Sequence, residues 1–218
     1  MVVTNVITNM KTRNTHMKYF LMALMGTILM LSPARAQDAQ IDIARYQQAL
    51  QNISTMKADF TQTAYDGTQT TGTFFLNRPG RLRFEYDQLD DFIVADGTFI
   101  YYYDSEMKQQ SSTRISNSLA DFLLRDRIRL DGDVTVTETS RSNGLTNLTL
   151  TMTEDPGAGA LTLSFVDANG KPVLKKWTVM DSQGLKTDVV LKNIKTGLKL
   201  PKNLFYYIDP QRYRPTFN

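Results

Sequence analysis

Strict alternation of polar and apolar side chains marks the segment "RLRFEYD", residues 81–87. The arginines and the glutamate fall on one side of an extended chain, whereas Leu82, Phe84 and Tyr86 fall on the other. A two-residue period is typical of a β-strand with one face in water and one in an apolar interior. The pattern leaves open whether that interior is a packed core or a cavity for an apolar ligand.

Similar alternating segments follow one another along most of the chain. Turn signals such as Asp66-Gly67, Asp96-Gly97 and Asn143-Gly144 lie between them. The segments that we predict as strands are "KADFTQTAYDG", "TGTFFLN", "RLRFEYD", "DFIVADG", "TFIYYYD", "MKQQSS", "IRL", "DVTVTET", "LTNLTLTM", "ALTLSFVD", "PVLKKWTVM", "LKTDVVLKNI" and "LFYYI". This spacing predicts an antiparallel meander of roughly ten or eleven strands.

Two segments depart from the alternation and predict helices. In "IDIARYQQALQNISTM", residues 41–56, apolar side chains recur at steps of three and four, which indicates an amphipathic helix. In "ISNSLADFLL", residues 115–124, the apolar side chains again share one helical face, and Ser116 or Ser118 could cap the start.

These elements together predict a mainly β fold with an α lid. A sheet of this length curls instead of staying flat. The helices must bury their apolar faces, and the concave side of the sheet is the available surface. We therefore expect a curved antiparallel sheet that forms an incomplete, half-open β-barrel with helices over its interior.

The N-terminal segment predicts export. Residues 17–36, "MKYFLMALMGTILMLSPARA", combine a lysine, an apolar run and an A-x-A end, as in a secretory signal peptide. A membrane anchor is the alternative, but the apolar run of about 12 residues is short of the roughly 20 that a spanning helix needs. We predict a signal peptide over residues 1–36, of which 1–16 could be an upstream start-site extension, with cleavage after Ala36. Residues 37–218 would then form one domain.

Removal of this segment changes the charge of the chain. Of its 25 lysines and arginines, four lie in residues 1–36, which contain no acidic residue, so the net charge falls from +3 to −1. No basic excess then remains to indicate a nucleic-acid partner.

The predicted mature chain contains neither cysteine nor histidine, because the only histidine is His16. This composition excludes cysteine nucleophiles, histidine bases and metal sites that histidine or cysteine ligate. It also excludes a lipid-bearing cysteine after the signal. Carboxylates such as Asp90-Asp91, Asp121 and Asp126 could support glycoside chemistry, but adjacent acids on a strand face opposite ways. We expect no enzyme, no catalytic residue, no metal and no cofactor.

Large apolar side chains crowd the first half of the predicted sheet. They are Phe60, Phe74, Leu82, Phe84, Tyr86, Phe92, Tyr101 and Tyr103. Aromatic residues are favoured in strands and fill ordinary cores, so the pattern alone is compatible with a filled interior. Export, the absence of catalytic groups and the few helices favour a cavity instead.

The order of four motifs resembles the LolA family of periplasmic lipoprotein carriers. The motifs are "ADFTQ", "GTFFLNRPGRLRFEY", "IVADGTFIYYYD" and "FLLRD", and the wording "RPGRLRFEY" is most similar to the alphaproteobacterial branch. The resemblance extends from about Leu50 to Phe205. It implies an incomplete β-barrel with helices as a lid over a hydrophobic cavity, and a chaperone that carries acyl chains of lipoproteins from the inner to the outer membrane through the periplasm.

The resemblance also implies roles for individual residues. Leu50 matches a position of the lid helix, and Phe122 and Leu123 match the inserted helix. Leu82 and Phe84 match cavity positions. Arg78 matches a strand-end arginine that latches the lid, by bonding several backbone carbonyls from its planar guanidinium.

Partners are implied in the same way. They are triacylated lipoproteins as cargo, an ATP-driven, LolCDE-like release complex in the inner membrane as donor, and, in lineages that have one, a LolB-like outer-membrane acceptor, with the carrier itself a monomer. Three alternatives stay open: a sensor of lipid or lipoprotein with the same fold, a carrier of another lipid, and a structural β-protein with a filled interior.

Overall fold

The computed structural model describes residues 41–211. The predicted signal peptide and its cleavage site lie outside the described residues. Within them, eleven antiparallel strands form one open sheet. The strands are β1 (Thr55–Thr63), β2 (Gln69–Asn77), β3 (Arg81–Tyr86), β4 (Phe92–Asp96), β5 (Phe99–Asp104), β6 (Gln109–Arg114), β7 (Val134–Ser142), β8 (Leu145–Met152), β9 (Gly159–Ala168), β10 (Lys171–Asp181) and β11 (Lys186–Thr196).

The strand order is β6-β5-β4-β3-β2-β1-β11-β10-β9-β8-β7. Each strand pairs with a neighbour in sequence, and the pairing of β1 with β11 joins the two halves. Because β6 and β7 are the free edges, the chain between them must cross from one edge of the curved sheet to the other. This crossing segment carries the second helix over the concave face.

Two α-helices are present in the described chain, α1 (Ile43–Gln51) and α2 (Asp121–Leu124). The Asp42 carboxylate caps α1 by accepting a hydrogen bond from the Ala44 amide. Tyr46 and Leu50 of α1 are buried against the sheet, and so are Phe122 and Leu124 of α2. The apolar stripes of both helices therefore help to form the core, as their period predicts.

The helix predicted over residues 41–56 is shorter than expected. It ends at Gln51, and strand β1 begins at Thr55. The helix predicted over residues 115–124 is divided into a 3-10 turn, Ile115–Asn117, and α2. Ser118 does not cap α2, because its hydroxyl donates to the Ile115 carbonyl instead.

Two predicted strands are not strands. "LFYYI", residues 204–208, contains the end of a 3-10 turn, Lys202–Phe205, in which local bonds such as Leu204 N to Pro201 O satisfy the backbone. "IRL", residues 128–130, is a loop whose amides donate to glutamine side chains of α1.

Candidate functional site: an apolar interior beneath a helical lid

Aromatic rings form the floor of the concave interior. Ring centroids lie 5.1 Å apart for Phe60 and Phe84, 4.8 Å apart for Phe74 and Phe84, and 5.3 Å apart for Phe74 and Trp177. The Tyr86 ring lies edge-on to Phe60, at 5.3 Å. Such tilted and edge-to-face arrangements are the favourable ones for aromatic pairs. The rings therefore make one continuous apolar surface across β1, β2, β3 and β10.

Strand register brings these rings together. Directly opposite residues of antiparallel strands share a face; Phe74 is opposite Phe84, and Phe60 is opposite Gly72. A Cβ at Gly72 would lie 1.9 Å from the Glu85 carbonyl oxygen and 2.8 Å from the Phe60 ring. The glycine thus provides the space that the Phe60 ring occupies.

Helix α1 covers this floor as a lid, but little free space remains beneath it. The residual cavity has a volume of about 10 Å³, which is about the smallest space that holds one water molecule. Its lining residues are Leu50, Ile53, Met56, Phe74, Leu76, Arg78, Leu123, Ile128, Leu174 and Trp177. An acyl chain can therefore enter the interior only if the lid or the lining side chains move.

Arg78 connects the lid to the end of strand β2. Its Nη2 donates a hydrogen bond to the Leu50 carbonyl in the last turn of α1, where the helix dipole favours a cation. Burial lowers the pKa of the guanidinium to about 10, and nearby Asp126 opposes this shift. The buried Nε has no hydrogen-bond partner among the described residues. Arg78 thus makes one bond to the lid among the described residues, through a cation whose buried Nε is unpaired there.

Glutamines hold the opposite side of α1. Gln51 donates to the Asp126 carbonyl at 3.1 Å and accepts from the Ile128 amide at 2.7 Å, and Gln47 accepts from the Leu130 amide at 2.9 Å. These amide side chains take the place of a neighbouring strand for residues 126–130. The sequence pattern does not reveal this contact, because a glutamine on a polar helix face adds nothing to the apolar period.

The predicted cavity residues divide between the two faces of the sheet. Leu50, Phe74 and Leu123 line the residual cavity. The others on the concave side belong to the core cluster or pack against it: Phe60, Leu82, Phe84, Tyr86 and Phe122.

The structure corrects the placement of Phe92, Tyr101 and Tyr103. Phe92 is opposite Glu85 of β3 and Tyr103 of β5, so it shares their face, which is the outer face of the sheet. Tyr101 is two positions from Tyr103 in the same strand and therefore points the same way. There Phe92 stacks on Tyr103 at 5.4 Å, and Tyr101 stacks on Tyr207 of the C-terminal segment at 4.5 Å. Both faces of β4 and β5 are apolar, so aromatic content could not indicate which face was internal.

Trp177 also lines the cavity, although the alternating pattern of its strand does not predict this. A register shift between Leu174 and Lys176 inserts an extra residue into β10. Because a bulge interrupts the two-residue period, Leu174 and Trp177 share the concave face although they are three positions apart.

Two of the carboxylates considered for catalysis, Asp91 and Asp121, have structural contacts. Asp91 accepts bonds from the Ser105 amide and hydroxyl at 2.8 and 2.6 Å, and Asp121 pairs with Arg125. Residues 41–211 contain no group of three or more side chains arranged to hold a metal ion. In the same range, no helix is long and apolar enough to cross a membrane.

Comparison with known proteins gives a consistent result. A family model described as outer membrane lipoprotein carrier protein LolA matches residues 51–207. An outer-membrane lipoprotein carrier protein of Legionella pneumophila (strain Paris) is 29% identical over 193 residues, covering 84% of this chain and 94% of the relative. One of Methylococcus capsulatus is 24% identical over 176 residues, covering 77% and 83%. A crystal structure of a LolA superfamily protein from Nitrosomonas europaea matches with a TM-score of 0.39 at 12% identity, covering 74% of this chain and 96% of that one. Since the family match spans well over half of the sequence, the chain belongs to the LolA family.

Proposed function

We propose that this protein is a non-enzymatic carrier that encloses the acyl chains of lipoproteins while they cross the periplasm. The aromatic interior beneath α1 is the observation that supports this proposal most directly. The family membership and the names of the relatives support it independently. The finer parts of the proposal are triacylated cargo, a LolCDE-like donor, a LolB-like acceptor and export by a signal peptide cleaved after Ala36.

The energetics of acyl chains explain why such an interior is useful. A chain of about fifteen methylenes costs on the order of 12 kcal/mol in water, at about 0.8 kcal/mol for each methylene. Contact with the rings of Phe60, Phe84 and Trp177 would remove much of this cost without any chemical step. Transport then needs only binding that is reversible.

The lid is suited to reversible binding. Its polar attachments are a few side-chain bonds, from Arg78, Gln47 and Gln51 to backbone groups and from Arg45 to Asp167 and the Gly170 carbonyl. Each such bond contributes about 0.5–3 kcal/mol, so the lid can open at a cost that one buried acyl chain offsets.

Binding can be measured with the protein's own fluorescence, because Trp177 is the only tryptophan in the chain. A brominated long-chain fatty acid and a synthetic triacylated lipopeptide should both quench Trp177. A second assay tests transport: the carrier should move a lipoprotein from inner-membrane vesicles with ATP into the soluble fraction. Quenching by fatty acid without lipoprotein release would instead indicate a lipid sensor or a carrier of another lipid. No quenching by either compound would indicate a filled interior.

Phe84 in β3 and Phe75 in β2 lie on opposite faces of the sheet and supply matched variants. Phe84→Glu places a carboxylate in the aromatic floor and should abolish uptake of a fluorescent fatty acid. Phe75 is opposite Arg83, on the outer face, so Phe75→Glu should leave uptake unchanged. Circular dichroism verifies that both variants are folded. Equal uptake by the two variants would contradict the assignment of the interior as the binding site.

A further inference from the structure

The sheet is split between β10 and β11 at the end nearest α1. These strands pair from Lys176 opposite Val190 to Met180 opposite Lys186. Both strands continue beyond Lys176 and Val190, but residues 171–175 pair only with β9 and residues 191–196 only with β1. A gap in the backbone hydrogen bonding therefore opens within the sheet.

Irregularities in both strands maintain this gap. Lys175 is the extra residue of a bulge in β10, and two residues of β11, Asn193 and Ile194, lie across from Ala58. Asn193 has a φ of 50° and donates a 2.6 Å hydrogen bond from Nδ2 to Asp59 Oδ2. Bulges bend the strands that contain them, and Pro172 has no N–H for a ladder. The sequence itself thus disfavours closure of the gap.

A groove of about 770 Å³ occupies the gap and runs along the side of α1. Three of its lining residues, Ile53, Met56 and Leu174, also line the residual cavity beneath the lid. The groove and the interior are therefore separated by a wall that is one side chain thick. Met56 belongs to this wall, and the unbranched thioether of methionine changes rotamer easily.

The rim of the groove is basic. Lys171 and Lys175 line it beside Arg45, whose charge is paired with that of Asp167. The Arg45 guanidinium donates to Asp167 and to the Gly170 carbonyl, which fixes the first turn of α1 to the end of β9 and the turn that follows it. A basic rim above an apolar wall matches an amphiphile whose tail goes inside and whose polar or anionic head stays in water.

We propose that acyl chains enter and leave the interior through the gap between β10 and β11, past the wall formed by Ile53, Met56 and Leu174. This inference rests on the proposed carrier function, and it adds the route that the acyl chain takes. The occupant of the groove during transfer is the aliphatic chain itself. The route lies on the opposite side of α1 from the bonds that Gln47 and Gln51 make.

The experiment measures the rate at which a brominated fatty acid quenches Trp177 in stopped flow. Ala49→Phe puts a ring into the groove and should slow quenching about tenfold or more. Ala44 is exposed on the same helix but does not line the groove, so Ala44→Phe should change the rate less than about twofold.

A second pair of variants tests the wall and remains informative if the first variant folds poorly. Leu174→Ala removes part of the wall and should accelerate both uptake and release. Leu148 is equally buried, in β8, but lines neither the groove nor the cavity. Leu148→Ala should therefore lower stability without accelerating exchange of the ligand.

The two failures are distinguishable. Absence of Trp177 quenching in the unmodified protein would overturn the carrier function. Normal quenching with unchanged rates in both Ala49→Phe and Leu174→Ala would overturn only the route through the gap.

Discussion

One arginine illustrates how a single residue can favour a lid that opens. The Arg78 guanidinium makes a bond to the Leu50 carbonyl, yet its burial is unfavourable, which is why its pKa is lowered. A hydrogen bond from a charged group contributes about 1.5–3 kcal/mol, and desolvation of the charge offsets part of that gain. The closed lid is therefore held, but not held tightly.

Arg78→Leu should loosen the lid while the fold is retained. The bond to Leu50 is lost, but the unfavourable burial of a cation is lost with it, so we expect the free energy of unfolding to change by less than about 2 kcal/mol. Amide exchange of α1, followed by mass spectrometry, should become faster. Arg83→Leu is the control, because Arg83 pairs with Glu85 on the outer face. Unchanged exchange of α1 in Arg78→Leu would show that this bond does not hold the lid.

Gly72 is required by packing and not by backbone conformation. Its Cβ position overlaps the Glu85 carbonyl and the Phe60 ring. We expect Gly72→Ala to lower the free energy of unfolding by about 1–3 kcal/mol, the usual cost of overpacking, as measured by urea denaturation. At Gly157 the nearest atom is 3.5 Å from the Cβ position, so Gly157→Ala should be close to neutral. Equal stability of the two variants would contradict the packing at Gly72.

At the scale of elements, the lid depends on the loop that it contacts. Gln51→Leu would leave the Asp126 carbonyl and the Ile128 amide without their partner. An unpaired backbone group costs about 1–3 kcal/mol where it is buried, so we expect faster amide exchange in residues 126–130 and in α1. Among residues 41–211 the Gln48 side chain bonds only to Asn52, and Gln48→Leu should leave that exchange unchanged. Similar exchange in the two variants would mean that the Gln51 bonds do not hold α1.

The sequence predicts the strands well wherever one face of a strand is exposed to solvent. Alternation in "RLRFEYD" and its neighbours predicts the strands of the sheet, because polar and apolar positions there report opposite faces. It fails for "IRL" and "LFYYI", since side-chain bonds and local turns satisfy those backbones instead. It also fails for Phe92 and Tyr101, because β4 and β5 are apolar on both faces. Trp177 is missed because a bulge shifts the period.

At the scale of the whole molecule, the sheet and the lid differ in what stabilises them. Strand β1, the first in the chain, pairs with β11, the last, so the backbone hydrogen bonds of the sheet connect distant parts of the chain. Strands β8 and β9 contribute five core side chains that are at most 2% exposed, namely Leu148, Leu150, Leu161, Leu163 and Phe165. Helix α1, in contrast, is nine residues long, which is too short to be stable by itself in water. The lid therefore depends on its contacts with the sheet and with residues 126–130.

This difference between the sheet and the lid predicts which part of the protein moves to make space for a ligand. The interior holds only about 10 Å³ in the closed form, so a bound acyl chain must displace part of the protein. We expect saturating palmitate to accelerate amide exchange in α1 while exchange in β8 and β9 is unchanged, because local opening occurs where few contacts must break. Hydrogen exchange of the free and palmitate-bound protein measures both regions at once. Slower exchange in α1, together with faster exchange in the ladder between β8 and β9, would show that the sheet expands and that the helix is not the moving part.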